Sequence, residues 1–117
     1  MECNHEEAHE YAAKRAAENM PKAEQIEQLS VQLKAISEPS RLKILLALRE
    51  GEMCVYHIVE AVGGNQSAVS HQLRILRDNR IIKARRDGQN IVYSLADAHV
   101  LALLELALAH IDCGVSA

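Results

Sequence analysis

The chain contains no Phe, no Trp and only three Tyr. Its core therefore has to be assembled from Leu, Ile, Val and Ala, and the pattern of those residues points to helices. Hydrophobic residues make up 49% of the chain and charged residues 25%, which is enough for a core and too apolar for a disordered tail. At 117 residues this is one domain's worth of sequence. A chain of this size buries only part of its apolar surface alone, so pairing with a second copy is expected.

Several classes fall away at once. The apolar runs are far shorter than the roughly 20 residues a membrane span needs. Glu2, Glu6, Glu7 and Glu10 at the start carry the wrong sign for a signal or transit peptide. The three Cys have no disulfide-framework spacing, which suggests a reducing, cytoplasmic location. There is no Gly-rich phosphate loop, no Gly-x-Ser-x-Gly elbow and no paired-carboxylate cleft, so no enzyme is expected.

Charge is distributed unevenly. Residues 1–10 carry −4, residues 11–65 balance, and residues 95–117 carry −3. Residues 66–94 carry +4, with Arg74, Arg77, Arg80, Lys83, Arg85 and Arg86 against Asp78 and Asp87. One basic segment in a mildly acidic chain suits a surface that meets phosphates, although charge alone favours a solvated face.

The chain reads as helices with one hairpin. Residues 6–19 are Ala-rich and end before Pro21. Ile26, Leu29, Leu33 and Ile36 form an apolar stripe over 22–37. Pro39 opens the next helix, which stops near Gly51. Residues 54–62 read as a short helix closed by Gly63 and Gly64, and Asn65 caps a helix over about 66–79. A hairpin over 81–95 turns at Asp87-Gly88. Asp97 caps a last helix to about 111. Residues 1–20 read as an N-terminal arm or helix, and residues 21–113 as one folded domain.

The helix at 66–79 carries the clearest chemistry. At about 100° per residue, Val69, Leu73 and Leu76 fall on one face. Ser67, Ser70, His71 and Arg74 fall on the other. A core face backed by short hydrogen-bonding side chains is what a major-groove helix requires. The short helix and Gly-Gly turn before it give helix-turn-helix order. The hairpin after it places Arg85, Arg86, Gln89 and Asn90 around its tip, as a wing would.

The segments EPSRLKILLAL (38–48), NQSAVSHQLRILRDNRII (65–82) and RRDGQNIVYSL (85–95) resemble the ArsR/SmtB family of winged-helix, metal-sensing repressors. The resemblance covers roughly residues 30–112. It implies a mainly α fold with one β-hairpin, a winged helix-turn-helix. It implies a homodimer on palindromic double-stranded operator DNA that leaves the operator when metal binds. By the same resemblance the base-reading positions fall on Gln66, Ser67, Ser70 and His71, and the wing contacts near Arg86 and Gln89.

The last helix offers a metal site. Asp97 and His99 lie at its start, His110 and Cys113 at its end. His99 and His110 share a face but stand about 16 Å apart along the axis, too far for one ion with bonds of about 2.0–2.3 Å. An antiparallel partner helix would bring Asp97 and His99 of one chain beside His110 and Cys113 of the other, giving two symmetric four-ligand sites. The alternative is that Asp97 is only a cap and both His are interface residues. The family's zinc-type sensors are similar in this pattern, with His or Glu as the usual fourth ligand. Cys113 in that place softens the site. Zinc is the first expectation, with cadmium, cobalt and nickel as alternatives. The resemblance also implies that His110 signals to the backbone at Arg80.

A second site is open at Cys54 and His57, with Cys3, His5 and His9 on a ligand-rich arm. In the family's thiolate sites an N-terminal Cys joins a Cys-x-Cys. Here Tyr56 replaces the second Cys, so the three-thiolate arsenic pattern is absent. Cys54 as a small buried hydrophobe is the plain alternative. The resulting expectation is a cytoplasmic metal-responsive repressor. The rivals are a winged-helix regulator that senses thiol oxidation or no ligand, and a metal-buffering protein.

Overall fold

A computed structural model describes the backbone of residues 2–114 and the side chains of residues 6–113. The chain divides into two units, residues 1–30 and 31–117. The first unit holds α1 (Glu2–Glu18) and the start of α2 (Ala23–Ser37). Pro21 separates them, since it can neither donate a helical N–H nor extend a helix. The freed N–H of Lys22 donates to Gln25 Oε1 at 3.2 Å. On α1, Arg15 lies over the Tyr11 ring, 5.8 Å from its centroid.

The second unit holds the rest of α2, α3 (Pro39–Leu48), β1 (Met53–Cys54), α4 (Val55–Val62), α5 (Gln66–Asp78), β2 (Ile82–Asp87), β3 (Asn90–Leu95) and α6 (Ala98–Gly114). Its core is aliphatic throughout: Ile44, Leu45, Ile58, Leu73 and Leu76 are the largest fully buried side chains. Tyr93 packs only at the edge of that cluster. Glu38 caps α3 by accepting the Arg41 N–H at 3.1 Å, with Pro39 in the first turn. The Arg41 guanidinium then bonds Gln72 Oε1 at 3.1 Å, which ties α3 to α5.

Three sequence expectations need correction. Cys54 is not helical: it sits in extended backbone (φ −82, ψ 169) as the N-cap of α4 and the end of β1. β1 pairs with β3, so the hairpin belongs to a three-stranded antiparallel sheet of order β1-β3-β2. A two-residue strand has no periodicity by which to be recognised. The hairpin turn lies one residue later than the Asp-Gly pair suggests. Asp87 pairs with Asn90 across the ladder, leaving Gly88 and Gln89 as the turn, with φ +66 at Gly88, the glycine-first pattern of a type II′ turn.

The end of α5 is closed by a Schellman turn. The Ile81 N–H donates to the Leu76 carbonyl at 3.0 Å and the Arg80 N–H to the Arg77 carbonyl at 2.9 Å. Leu76 and Ile81 are both buried, the apolar contact that accompanies this motif. Arg80 takes the left-handed position, with φ +61, where glycine is usual. No helix among the described residues is long and apolar enough to cross a membrane.

Both ends of α5 bear on stability: the Asn65 side chain opens the helix by accepting the Ala68 N–H, and Arg80 closes it. Arg80→Gly relieves the Cβ clash of a left-handed residue and is expected to stabilise the protein by up to about 1 kcal/mol. Asn65→Ala removes a capping acceptor and is expected to cost about 1 kcal/mol. Urea unfolding of each variant at one protein concentration measures both. A fall in stability for Arg80→Gly would contradict the strain assigned here.

Candidate functional site

Asn65 begins the site. Its side chain accepts the Ala68 N–H at 2.8 Å and starts α5, directly after Gly63 and Gly64, whose φ values are +85 and +86. From that start the helix phase is set. Val69, Leu73 and Leu76 turn inward at 5%, 1% and 0% exposure. Gln66, Ser67, His71 and Arg74 are exposed, and Ser70 is half-buried at the margin. The polar side of α5 is thus a solvent-facing row of amide, hydroxyl, imidazole and guanidinium groups, able to donate to and accept from base edges. Gln72 is held by Arg41 instead.

The register of the sheet sorts the wing residues. Ile82, Ala84 and Arg86 alternate onto one face of β2, opposite Leu95, Tyr93 and Ile91 of β3. Ile82 is core, and Tyr93 and Leu95 pack on it, so this is the body-facing side. Arg86 continues it past the core and is exposed. Lys83 and Arg85 lie on the outer face, in line with Ser94 and Val92, and Val92 pairs in turn with Cys54. There Arg85 makes a two-pronged ion pair with Glu52 through Nη2 and Nε, the Nε contact being 3.4 Å. This pair holds the Glu52 carboxyl below the usual carboxylate range. Glu52 escaped the sequence reading because nothing in the sequence brings residues 52 and 85 together until β1 is laid beside β3. Gln89 is exposed in the turn.

The four α6 candidates form two pairs. Asp97 Oδ1 accepts the His99 and Val100 N–H groups at 2.9 and 3.2 Å. The Val100 and His99 N–H groups hold this carboxyl below the usual carboxylate range. His99 Nδ1 lies 3.5 Å from the same oxygen, with the imidazole almost wholly exposed at 97%. At the other end His110 and Cys113 are exposed, one turn apart. Among the described residues no three His, Cys, Asp or Glu side chains of one chain gather at a point. Between the two ends only Leu104 is buried, while Leu101, Leu103, Leu106 and Ile111 are exposed at 37%, 42%, 70% and 60%. Full burial of α6 on both sides, as its composition suggests, is therefore not met within one chain.

At the second candidate site Cys54 Sγ stands 3.4 Å from His57 Nδ1, the i, i+3 contact of a helix start. His9 is exposed on α1. Cys3 and His5 have side chains outside the described residues.

The sequence pattern described as "Bacterial regulatory protein, arsR family" matches residues 38–84, from the cap of α3 into the wing. A transcriptional repressor SmtB homolog from Synechocystis sp. is 44% identical over 89 residues, covering 76% of this chain and 67% of the relative. The HTH-type transcriptional regulator NmtR of Mycobacterium tuberculosis is 49% identical over 83 residues, 71% of this chain and 69% of the relative. Among solved structures, the homodimeric winged helix-turn-helix DNA-binding domain from Mycobacterium bovis superposes with a TM-score of 0.72 at 29% identity, covering 80% of this chain and 90% of the other. On these matches the chain belongs to the ArsR family of bacterial regulatory proteins, as a winged helix-turn-helix transcriptional regulator.

Proposed function

We propose that the chain is a metal-responsive repressor that binds palindromic operator DNA as an apo homodimer and is released by a divalent metal at the dimer interface. The observation that carries this reading is the form of α6. It is a helix with an uncovered leucine-rich surface and a pair of metal-ligating side chains at each end. An antiparallel second copy covers that surface and completes two four-ligand sets at once. The relatives support the reading, since one is a repressor homologous to SmtB and a neighbouring structure is a homodimer. The reading places the protein in the cytoplasm, with DNA and with reduced thiols.

The donor set fits a borderline ion. Asp97 presents a carboxylate kept ionised by backbone N–H groups, His99 and His110 present imidazoles, and Cys113 a thiol that binds as thiolate. Zinc suits this set, and cadmium, cobalt or nickel are the alternatives. When bound, the ion supplies a bridge between the two α6 helices. The protein's own residues carry the rest. Asp97 is anchored at the helix start by the two backbone N–H groups it accepts, with His99 exposed beside it. His110 has a second ring nitrogen, and its N–H donor directed at the backbone near Arg80 would link α6 to the end of the recognition helix. Asp97 and Cys113 have no such second donor. By linkage, operator DNA lowers metal affinity by the same factor that metal lowers operator affinity.

On the DNA side, Gln66, Ser67, Ser70, His71 and Arg74 read base edges, and Arg86 and Gln89 hold the flanking backbone. A second, softer site at Cys54 and His57 is favoured by their contact of 3.4 Å.

For the DNA face, Ser70→Ala and His71→Ala are expected to abolish preference for operator over unrelated duplex while the fold persists. Arg86→Ala is expected to weaken binding to all sequences and make the salt dependence shallower by about 0.9 in log–log slope. Full operator preference retained by His71→Ala in a competition assay would exclude this helix as the reader.

For coupling, His110→Asn is expected to bind metal weakly and remain on DNA. Cys113→Ser is expected to lose metal affinity yet still release DNA at higher metal, with a wild-type coupling free energy of about 1–3 kcal/mol. Operator affinity with and without saturating zinc, at confirmed occupancy, measures this. Normal release by His110→Asn would rule out the proposed link.

A further inference from the structure

The two neighbouring arginines of the wing are not equivalent. Strand alternation places Arg86 on the body-facing side and Arg85 on the outer side. Arg85 lies only three residues before Gly88, about 10 Å from the tip. Its guanidinium fork is occupied: Nη2 and Nε both meet the Glu52 carboxylate. That planar fork matches a carboxylate and a phosphate in the same way, by two parallel N–H donors. Both side chains are about half exposed, 55% for Arg85 and 47% for Glu52, so a phosphate could reach the fork if the carboxylate left it. Glu52 comes from the segment that opens β1, on the far side of β3 from β2. The pair therefore crosses the sheet and is not a local strand contact.

We propose that Glu52 acts as a built-in phosphate surrogate that holds Arg85 in reserve, so that of the wing's two arginines only Arg86 engages DNA and the affinity for DNA of any sequence is kept low. This inference rests on the wing lying against DNA. It gives Glu52 a role in setting overall DNA affinity without contact to a base. A phosphate contact adds to every sequence equally, so withholding one lowers non-operator binding by the same factor as operator binding. That keeps the whole affinity range within reach of release by a coupling of limited size.

The test uses the full-length dimer, an operator duplex and an unrelated duplex, with affinity measured across a salt series. Glu52→Gln removes the charge while keeping the shape. It is expected to raise affinity for both duplexes about threefold or more and to steepen the log–log salt slope by about 0.9, one added phosphate contact. Arg85→Ala alone is expected to leave the slope as in wild type. In the Arg85→Ala background, Glu52→Gln is expected to lose most of its gain. A gain that persists undiminished in that background would mean simple removal of a repelling charge, and would overturn the proposal. Weaker binding by Glu52→Gln would mean that the pair merely braces the sheet, and would overturn it as well. Arg86→Ala separates the underlying reading: an unchanged slope there would show that the wing does not meet DNA, whatever Glu52 does.

Discussion

The relation between α5 and the wing rests on one turn. Leu76 and Ile81 bury their side chains together while the Ile81 N–H closes on the Leu76 carbonyl. Between them the chain has to reverse, and the reversal places Arg80 in left-handed backbone. The conformational penalty at Arg80 is offset by the two carbonyls that the Arg80 and Ile81 N–H groups satisfy and by the apolar contact the turn permits. Everything that meets DNA in this reading is positioned from that junction: the polar side of α5 on one side of it, and Arg86 and Gln89 on the other.

A second dependence runs through α6. Leu104 is its single buried side chain among the described residues, with Val100 half-buried on the same cluster. In the proposed dimer, a helix so apolar and so little covered within one chain is held mainly by what it meets in the second copy. In the proposed dimer the metal ligands and the association surface are then one structure. Ligands at the two ends of a stiff rod complete their sets only when another rod lies antiparallel, so metal affinity and dimer geometry become one equilibrium.

Much of this was legible in the residues themselves. The inward phase of Val69, Leu73 and Leu76 follows from their spacing, and the capping role of Asn65 from its position before the apolar series. The aromatic-free core of Leu, Ile, Val and Ala follows from composition. These features depend on local geometry, which short stretches of sequence carry completely. β1 was not legible, because two residues carry no period. The turn at Gly88-Gln89 was misplaced by one, because the ladder partner of Asp87, not the turn dipeptide, decides where pairing ends.

What the sequence alone determined is the helices and the hairpin, the polar face of α5, and the placing of Asp97 and His99 at one end of α6 and of His110 and Cys113 at the other, all of them consequences of spacing along one helix or strand. What only the tertiary structure decided is which arginine of the wing pairs with Glu52. Arg85 and Arg86 are chemically identical neighbours in the chain. Strand alternation separates their faces, and the third strand brings Glu52 to one of them. That choice depends on contacts between residues 33 positions apart, which no local pattern encodes.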